Sequence, residues 1–198
     1  MGGIILLEKA ITIATIAHQG QKDKAGQPYI LHPLRVMFST KCEVERICGV
    51  LHDVIEDTEV TMDDLRNEGF SEEVLSVLDA VTKRDGESYE DFICRILPNP
   101  VACRVKLADL SDNMDLSRIE NPAEKDYQRI EKYRKAVERI FDALEEQGDY
   151  EYTDNKEIEI SGCVIVPDSC TEDEFLDKFI EFVERNHWLF GGGVKTID

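Results

Sequence analysis

Over the first three quarters of the chain, apolar residues recur at helical spacing. Residues 5–19 read as an amphipathic helix, and a polar loop carrying Gly20, Gly26 and Pro28 follows. His32-Pro33 restarts a helix, because proline is tolerated at the first helical position and pushes the residue before it towards extended backbone. One helix is expected over 43–56, with Ile47, Leu51 and Val54 as its apolar stripe. Thr61 with Asp64 has the form of a capping box, Gly69 that of a C-terminal stop, and Ser71 caps a helix led by Glu72 and Glu73. Ser88, Asn99-Pro100 and Asn121-Pro122 are further starts, the last opening a long charged helix from 122 to about 147.

The pattern changes near 148. Glu157-Ile158-Glu159-Ile160 alternates, and Val164-Ile165-Val166-Pro167 closes a strand. Thr171 starts a helix with Phe175, Phe179, Phe182 and Val183 on one face, and Trp188 to Val194 reads as a second strand broken by Gly191-Gly192-Gly193. The expected fold is therefore mainly α, an all-helical bundle over 1–148 with a small α+β (βαβ) appendage over 149–198. So short a unit does not bury a core of its own. It packs on the helical part or on a second copy, so the expected partner through it is another copy of the chain.

Charge sharpens this division. The 198 residues hold 42 acidic and 23 basic side chains, net −19, which repels a phosphate backbone and an anionic membrane surface. Neither a nucleic acid nor a membrane is an expected partner. Residues 149–198 carry 13 acidic and 4 basic groups, and residues 1–148 carry 29 and 19. The six cysteines, at 42, 48, 94, 103, 163 and 170, form no CxxC pair and read as reduced thiols. No apolar run approaches the roughly 20 residues of a spanning helix, and no basic leader opens the chain. A cytoplasmic location is expected.

Four histidines, at 18, 32, 52 and 187, limit any imidazole site. On a continuous helix His52 and Glu56 stand one turn apart, as do Asp53 and Asp57, so this segment projects four polar groups to one side. The plainer reading is a solvated helix end with a stray histidine. A second polar cluster lies at Lys106-Leu107-Ala108-Asp109-Leu110-Ser111-Asp112-Asn113, with Asp109 and Asn113 one turn apart. His32, His52, Asp53 and Asp109 would together make an N₂O₂ set suited to Mn²⁺, Fe²⁺ or Zn²⁺ rather than Ca²⁺. Glu56 and Asp57 would then lie a turn away, where a general acid or base belongs. Lys106 either neutralises phosphate or pairs with a neighbouring acid. His18 reads as a hydrogen-bonding residue beneath the site and His187 as structural. Gly191-Gly192-Gly193 lacks the strand-loop-helix order and the Lys-Ser/Thr of a phosphate loop.

These motifs, taken in order, resemble the hydrolase half of RelA/SpoT homologues. The match rests on Tyr29-Ile30-Leu31-His32-Pro33, on His52-Asp53 followed by Glu56-Asp57-Thr58, and on Lys106-Leu107-Ala108-Asp109 followed by Asn113-Met114. Ala17-His18, Gly20-Gln21, Gly26 and Val81-Thr82-Lys83 add context over roughly residues 5–145. The chain is similar to small alarmone hydrolases of the HD superfamily, of the metazoan SpoT type, and the match includes no synthetase segment. The resemblance implies an HD-domain bundle with His32, His52, Asp53 and Asp109 as ligands of Mn²⁺. It implies Glu56 and Asp57 as the water-activating and proton-transferring pair, and Lys24 and Asn113 beside the nucleotide. The implied reaction removes pyrophosphate from the 3′ position of guanosine tetra- or pentaphosphate, leaving GDP or GTP. Two positions depart from the family pattern: Asp23 stands where the family has an arginine before Lys24, and Leu116 where it has a threonine. An aspartate cannot stack on a purine as a guanidinium can. An adenosine alarmone, another phosphorylated nucleotide such as NADPH, or a nucleotide-sensing regulator without catalysis remain the alternatives.

Overall fold

Capping chemistry decides where the helices begin. The structure, a computed structural model, describes residues 6–116, 119, 123–149, 164–167 and 169–185. The chain divides into two compact units, Met1–Tyr152 and Thr153–Asp198. In the first, α1 (Leu6–Ala17), α2 (Leu31–Ser39), α3 (Glu43–Leu51) and α4 (Val54–Asp57) precede α5 (Met62–Asn67) and α6 (Glu72–Val81). Then come α7 (Tyr89–Ile96), α8 (Pro100–Met114) and α9 (Glu124–Glu146). Thr61 Oγ1 accepts from the Asp64 N–H while the Asp64 carboxylate accepts from the Thr61 N–H, the expected capping box. Ser71, Ser88 and Asn99 each cap a helix through a side-chain oxygen, with Pro100 following Asn99 at the first helical position. Gly69 takes φ +92° behind α5, the left-handed backbone of a helix stop. Asn121-Pro122 lies outside the described residues, and α9 opens instead with the Asp126 carboxylate accepting from the Ala123 N–H.

α3 is the central element, packed against α1, α2, α6 and α8. Ile47, Leu51 and Val54 are buried as the stripe predicts, with Leu78, Ile93, Ile96 and Leu110 completing the core. Each fully buried side chain of this kind contributes about 1.5–3 kcal/mol of transfer free energy, before conformational entropy is charged against it. The highly charged α9 is held to α8 by a thin stripe of Ala136, Ile140, Ala143 and Leu144. Gly49 lets α2 and α3 approach closely, since a Cβ there would lie 3.2 Å from Met37 Cα.

Two expectations for this unit are corrected. α2 begins at Leu31, so His32 lies within the helix rather than extended before it, and Pro33 is its third residue. The helix placed over 43–56 is two helices, because α3 ends at Leu51 and α4 starts at Val54. Asp53, at φ −97° and ψ −6°, turns the chain between them. Neighbouring residues on an unbroken helix point about 100° apart. The break is what lets adjacent His52 and Asp53 aim at one place.

In the second unit, α10 (Glu172–Arg185) starts after Thr171, which exchanges hydrogen bonds with Glu174 in the manner of a capping box. Phe175 and Phe179 stack at 6.1 Å and Val183 is buried, whereas Phe182 is about half exposed. Val164–Pro167, expected as a strand, is irregular here, with Ile165 98% exposed. No strand occurs among the described residues, and a strand cannot exist without a partner for its backbone groups. The expected strand segments at 157–160 and 188–194, with His187, lie outside the described residues. Among the described residues, no helix is long and apolar enough to cross a membrane, and none of Cys42, Cys48, Cys94, Cys103 and Cys170 is paired.

Candidate active site

Three elements bring two imidazoles and two carboxylates together. His32 stands in the first turn of α2, which the chain enters from a turn closed by the Lys22–Pro28 bridge. His52 follows α3, Asp53 precedes α4, and Asp109 lies within α8. Ligand atoms of His32, His52 and Asp109 all lie within 4.8 Å of one another. His32 Nε2 is 3.2 Å from Asp109 Oδ1 and 3.5 Å from Asp53 Oδ2, and His52 Nε2 is 2.9 Å from Asp53 Oδ2 and 3.5 Å from Asp109 Oδ1. His32, His52 and Asp109 are buried, and the rings of the two histidines sit edge to face at 5.1 Å.

The other nitrogen of each ring fixes its orientation. His52 Nδ1 donates to the Gly49 carbonyl at 2.8 Å. His52 Nε2 then carries a lone pair, and despite its short approach to Asp53 it makes no directed hydrogen bond. His32 Nδ1 lies 2.6 Å from Asp112 Oδ2, and because a carboxylate only accepts, Nδ1 is the donor there and Nε2 again faces Asp53 and Asp109. Two imidazole lone pairs and two carboxylates converging on one buried point, one nitrogen otherwise orphaned, fit a divalent transition metal by donor chemistry.

Electrostatics agree. Burial pulls the His32 and His52 imidazoles down, but hydrogen bonds to Asp109, Asp112 and Asp53 outweigh it at His32 and the charges of Asp53 and Asp109 outweigh it at His52, so the acidic cluster draws positive charge, either as protons on the rings or as a cation facing their neutral forms. Asp53 and Asp109 go the other way: burial raises them, yet the imidazoles, and Lys106 for Asp109, hold both well below the usual carboxylate range. The cluster attracts positive charge. Lys106 Nζ donates to Asp109 Oδ2 at 2.7 Å and Asn113 Nδ2 to Asp109 Oδ1 at 2.6 Å, so both orient this carboxylate.

Beside the cluster opens a cleft of about 490 Å³, a size that suits a nucleotide. Glu56 and Asp57 stand on its wall with Asp53 and Asp109. Both pKa values are raised, first by burial and then by the Asp53 charge, although a hydrogen bond from the Lys83 N–H opposes this at Glu56. Tyr29 donates to Asp53 Oδ2 at 2.5 Å and reaches Asp57 Oδ2 at 3.4 Å. The lining also holds basic and aromatic side chains: Lys83, Lys106 and Lys132 with Tyr89, Phe92 and Tyr133. Lys132 Nζ sits 4.1 Å over the Tyr89 ring, and the buried Tyr89 hydroxyl has no hydrogen-bond partner among the described residues.

The expected site residues His32, His52, Asp53, Asp109, Glu56, Asp57, Lys106 and Asn113 thus come together. Lys24 does not line the cleft. It is exposed on the turn, where partial burial and Arg129 lower its pKa and Asp126 is its acidic neighbour. His18 lies under the site, its Nδ1 2.7 Å from Gln21 Oε1 and its ring 4.9 Å from Tyr29. Lys83 enters the sequence motifs only as context. Lys132, Tyr89, Tyr133 and Arg35 carry no sequence signal of their own, and Asp112 appears only as one member of the polar cluster at 106–113.

Fold and site define a mainly helical protein, consistent with an HD-like bundle, that carries a two-histidine, two-aspartate cluster beside a cleft lined by acidic, basic and aromatic side chains. Comparisons with known proteins point to one group within that class. No protein-family model matches the chain. It is 46% identical over 79 residues to a guanosine-3′,5′-bis(diphosphate) 3′-pyrophosphohydrolase of Borreliella burgdorferi, covering 38% of this chain and 12% of that protein. It is 31% identical over 123 residues to the Vibrio cholerae protein of the same name, and 35% over 126 residues to a GTP pyrophosphokinase of Streptomyces coelicolor. These cover 54% and 57% of this chain, but only 17% and 15% of those longer proteins. A solved structure described as a metazoan ortholog of SpoT that hydrolyzes ppGpp superposes with TM-score 0.57 at 19% identity, over 75% of this chain and 98% of that one. The resemblance to the hydrolase domain of RelA/SpoT homologues therefore holds in motifs, in aligned sequence and in fold.

Proposed function

We propose that the chain is a metal-dependent nucleotide phosphohydrolase that removes the 3′-pyrophosphate of guanosine tetra- or pentaphosphate. The observation that carries this is the convergence of His32, His52, Asp53 and Asp109 beside a cleft lined by both acidic and cationic side chains. The four residues would hold a divalent cation, Mn²⁺ by donor type. Such a cation lowers the pKa of water towards neutrality and screens phosphate charge.

The remaining work falls to the chain. Lys83 and Lys132 offset the negative charge of a polyphosphate, and the Tyr89 hydroxyl supplies a donor to it. Lys106 is committed first to Asp109, so its contribution to substrate is secondary. Glu56 is oriented by the Lys83 N–H on Oε2, which leaves Oε1 to exchange a proton with water or the leaving oxygen. Asp57, steered by Tyr29, is the second proton carrier. Burial and the Asp53 charge raise both carboxyl pKa values, the direction that favours a proton carrier. Residues 1–148 form the catalytic part in this reading, and 149–198 an acidic appendage serving assembly of copies in the cytoplasm.

A second reading concerns the base. Asp23 Oδ1 is taken by the Ala25 and Gln27 N–H groups, so this position shapes the turn rather than contacting a purine. An adenosine alarmone or NADPH is the competing substrate. Incubating the Mn²⁺-loaded protein with guanosine tetraphosphate, its adenosine counterpart and NADPH should release pyrophosphate from the first. No turnover of either alarmone overturns the assignment. Asp53→Ala should lose both metal and hydrolysis, and full activity in that variant refutes the site. Metal binding without turnover of any nucleotide favours a sensor.

A further inference from the structure

We propose that Asp112 and Arg35 form a positioning pair for the metal centre, in which Asp112 holds the His32 ring with Nε2 towards the cation and Arg35 holds Asp112. This rests on the metal reading above. The two imidazoles are supported differently. His52 leans on a backbone carbonyl of its own helix, whereas His32 leans on a side chain 80 residues away in sequence. Asp112 is nearly buried, 10% exposed, and serves two donors at once. Its Oδ2 accepts from His32 Nδ1 at 2.6 Å and from Arg35 Nη2 at 3.1 Å, and its Oδ1 accepts from Arg35 Nε at 2.5 Å.

The spacing shows how two helices build this. Arg35 follows His32 by three residues on α2, and Asp112 follows Asp109 by three on α8, so each helix presents a ligand and a supporting group on one face. Where α2 meets α8, the ligands face the cluster and the supports pair behind it. Charge explains the arginine. A lone carboxylate behind His32 would add a negative charge to a place already holding Asp53 and Asp109, and the forked guanidinium cancels it while fixing both oxygens. A carboxylate on the rear nitrogen of a ligating histidine fixes the tautomer and strengthens the ligand.

The test uses the full chain and two readouts independent of turnover. Calorimetry gives the Mn²⁺ affinity, and proton NMR of the Zn²⁺-loaded protein reads the ring N–H signals of His32 and His52. Asp112→Ala should weaken Mn²⁺ roughly 10–100-fold and remove the hydrogen-bonded His32 Nδ1–H signal, leaving that of His52 in place as proof of folding. Asp112→Asn keeps an oxygen acceptor and should restore most of both. Arg35→Ala should shift or broaden the His32 signal alone. Native affinity in Asp112→Ala, or an unmoved His32 signal in both the Asp112→Ala and Arg35→Ala proteins, overturns the pair while the metal site stands. A native protein that binds neither Mn²⁺ nor Zn²⁺ removes the metal reading itself, and the pair with it.

Discussion

Arg95 ties together the loop that carries Lys83 to the cleft. Its guanidinium donates to the carbonyls of Asp79, Ala80 and Thr82 and forks onto both Glu87 oxygens. The Arg95 hydrogen bonds draw the Glu87 carboxyl down to about 2. A folded pKa below the unfolded one means that this stabilisation is complete above the ordinary carboxylate range near 4.3 and is lost as pH falls towards 2. Glu87→Gln should therefore lower the melting temperature at pH 7, at a cost of about 1–3 kcal/mol for charge-assisted hydrogen bonds. The gap to the native protein should narrow as pH drops below about 4.3, followed by melting at a series of pH values. A constant gap would show that Glu87 matters only through packing. Lys83 illustrates what sequence reading reaches at this scale. Residue type and spacing single out His32, His52, Asp53 and Asp109 as the proposed ligands, because metal ligands come from a short menu. The partners that make them work do not show. Asp112 and Arg35 look like ordinary helix charges until α2 meets α8, and Lys132 looks like one more lysine on a solvated helix until α9 sets it over Tyr89.

Among the elements, caps were legible and the functional break was not. Thr61, Ser71, Ser88 and Asn99 start helices through contacts spanning three residues, so their signal is local. The segment Val50-Leu51-His52-Asp53-Val54-Ile55 contains neither glycine nor proline, and its apolar spacing runs on as one helix. The interruption at His52-Asp53 answers to the site rather than to propensity, and a sequence that breaks a local rule at a functional place is the expected pattern. Gly49 sits one turn before this break and serves two ends: it admits Met37 of α2 and its carbonyl receives His52 Nδ1. Gly49→Ala forces a Cβ to within 3.2 Å of Met37 Cα, where backbone rather than a flexible side chain must yield. Overpacking of this kind costs about 1–3 kcal/mol. Because α2 carries His32 and α3 leads to His52, the same displacement should also weaken Mn²⁺ binding. Melting temperature and calorimetric affinity should fall together, and a stability loss with native affinity would show that the ligands adjust independently of the helices.

At the scale of the whole molecule, the net charge of −19 has two separate origins. Asp53, Glu56, Asp57 and Asp109 all line the cleft, where the proposed cation would offset them, while 13 acidic groups belong to residues 149–198. Every residue placed in the cleft lies between Tyr29 and Tyr133, so the chemistry should survive without the second unit. Where the cut falls decides stability. Asp149 accepts from Arg104, which also donates to Glu45, so a chain ending at 152 keeps this network and a chain ending at 148 loses part of it. Both should bind Mn²⁺ with the affinity of the full chain. Both should gain thermal stability from it, about 2.7 kcal/mol at a hundredfold excess over the dissociation constant. The shorter chain should melt at a lower temperature than the longer one with or without metal. If residues 149–198 serve assembly, light scattering should show a smaller mass for both truncated chains than their lost residues explain. An oligomeric state unchanged in both would leave the acidic appendage without an assembly role, and loss of metal binding in the chain ending at 152 would show that the second unit is part of the site.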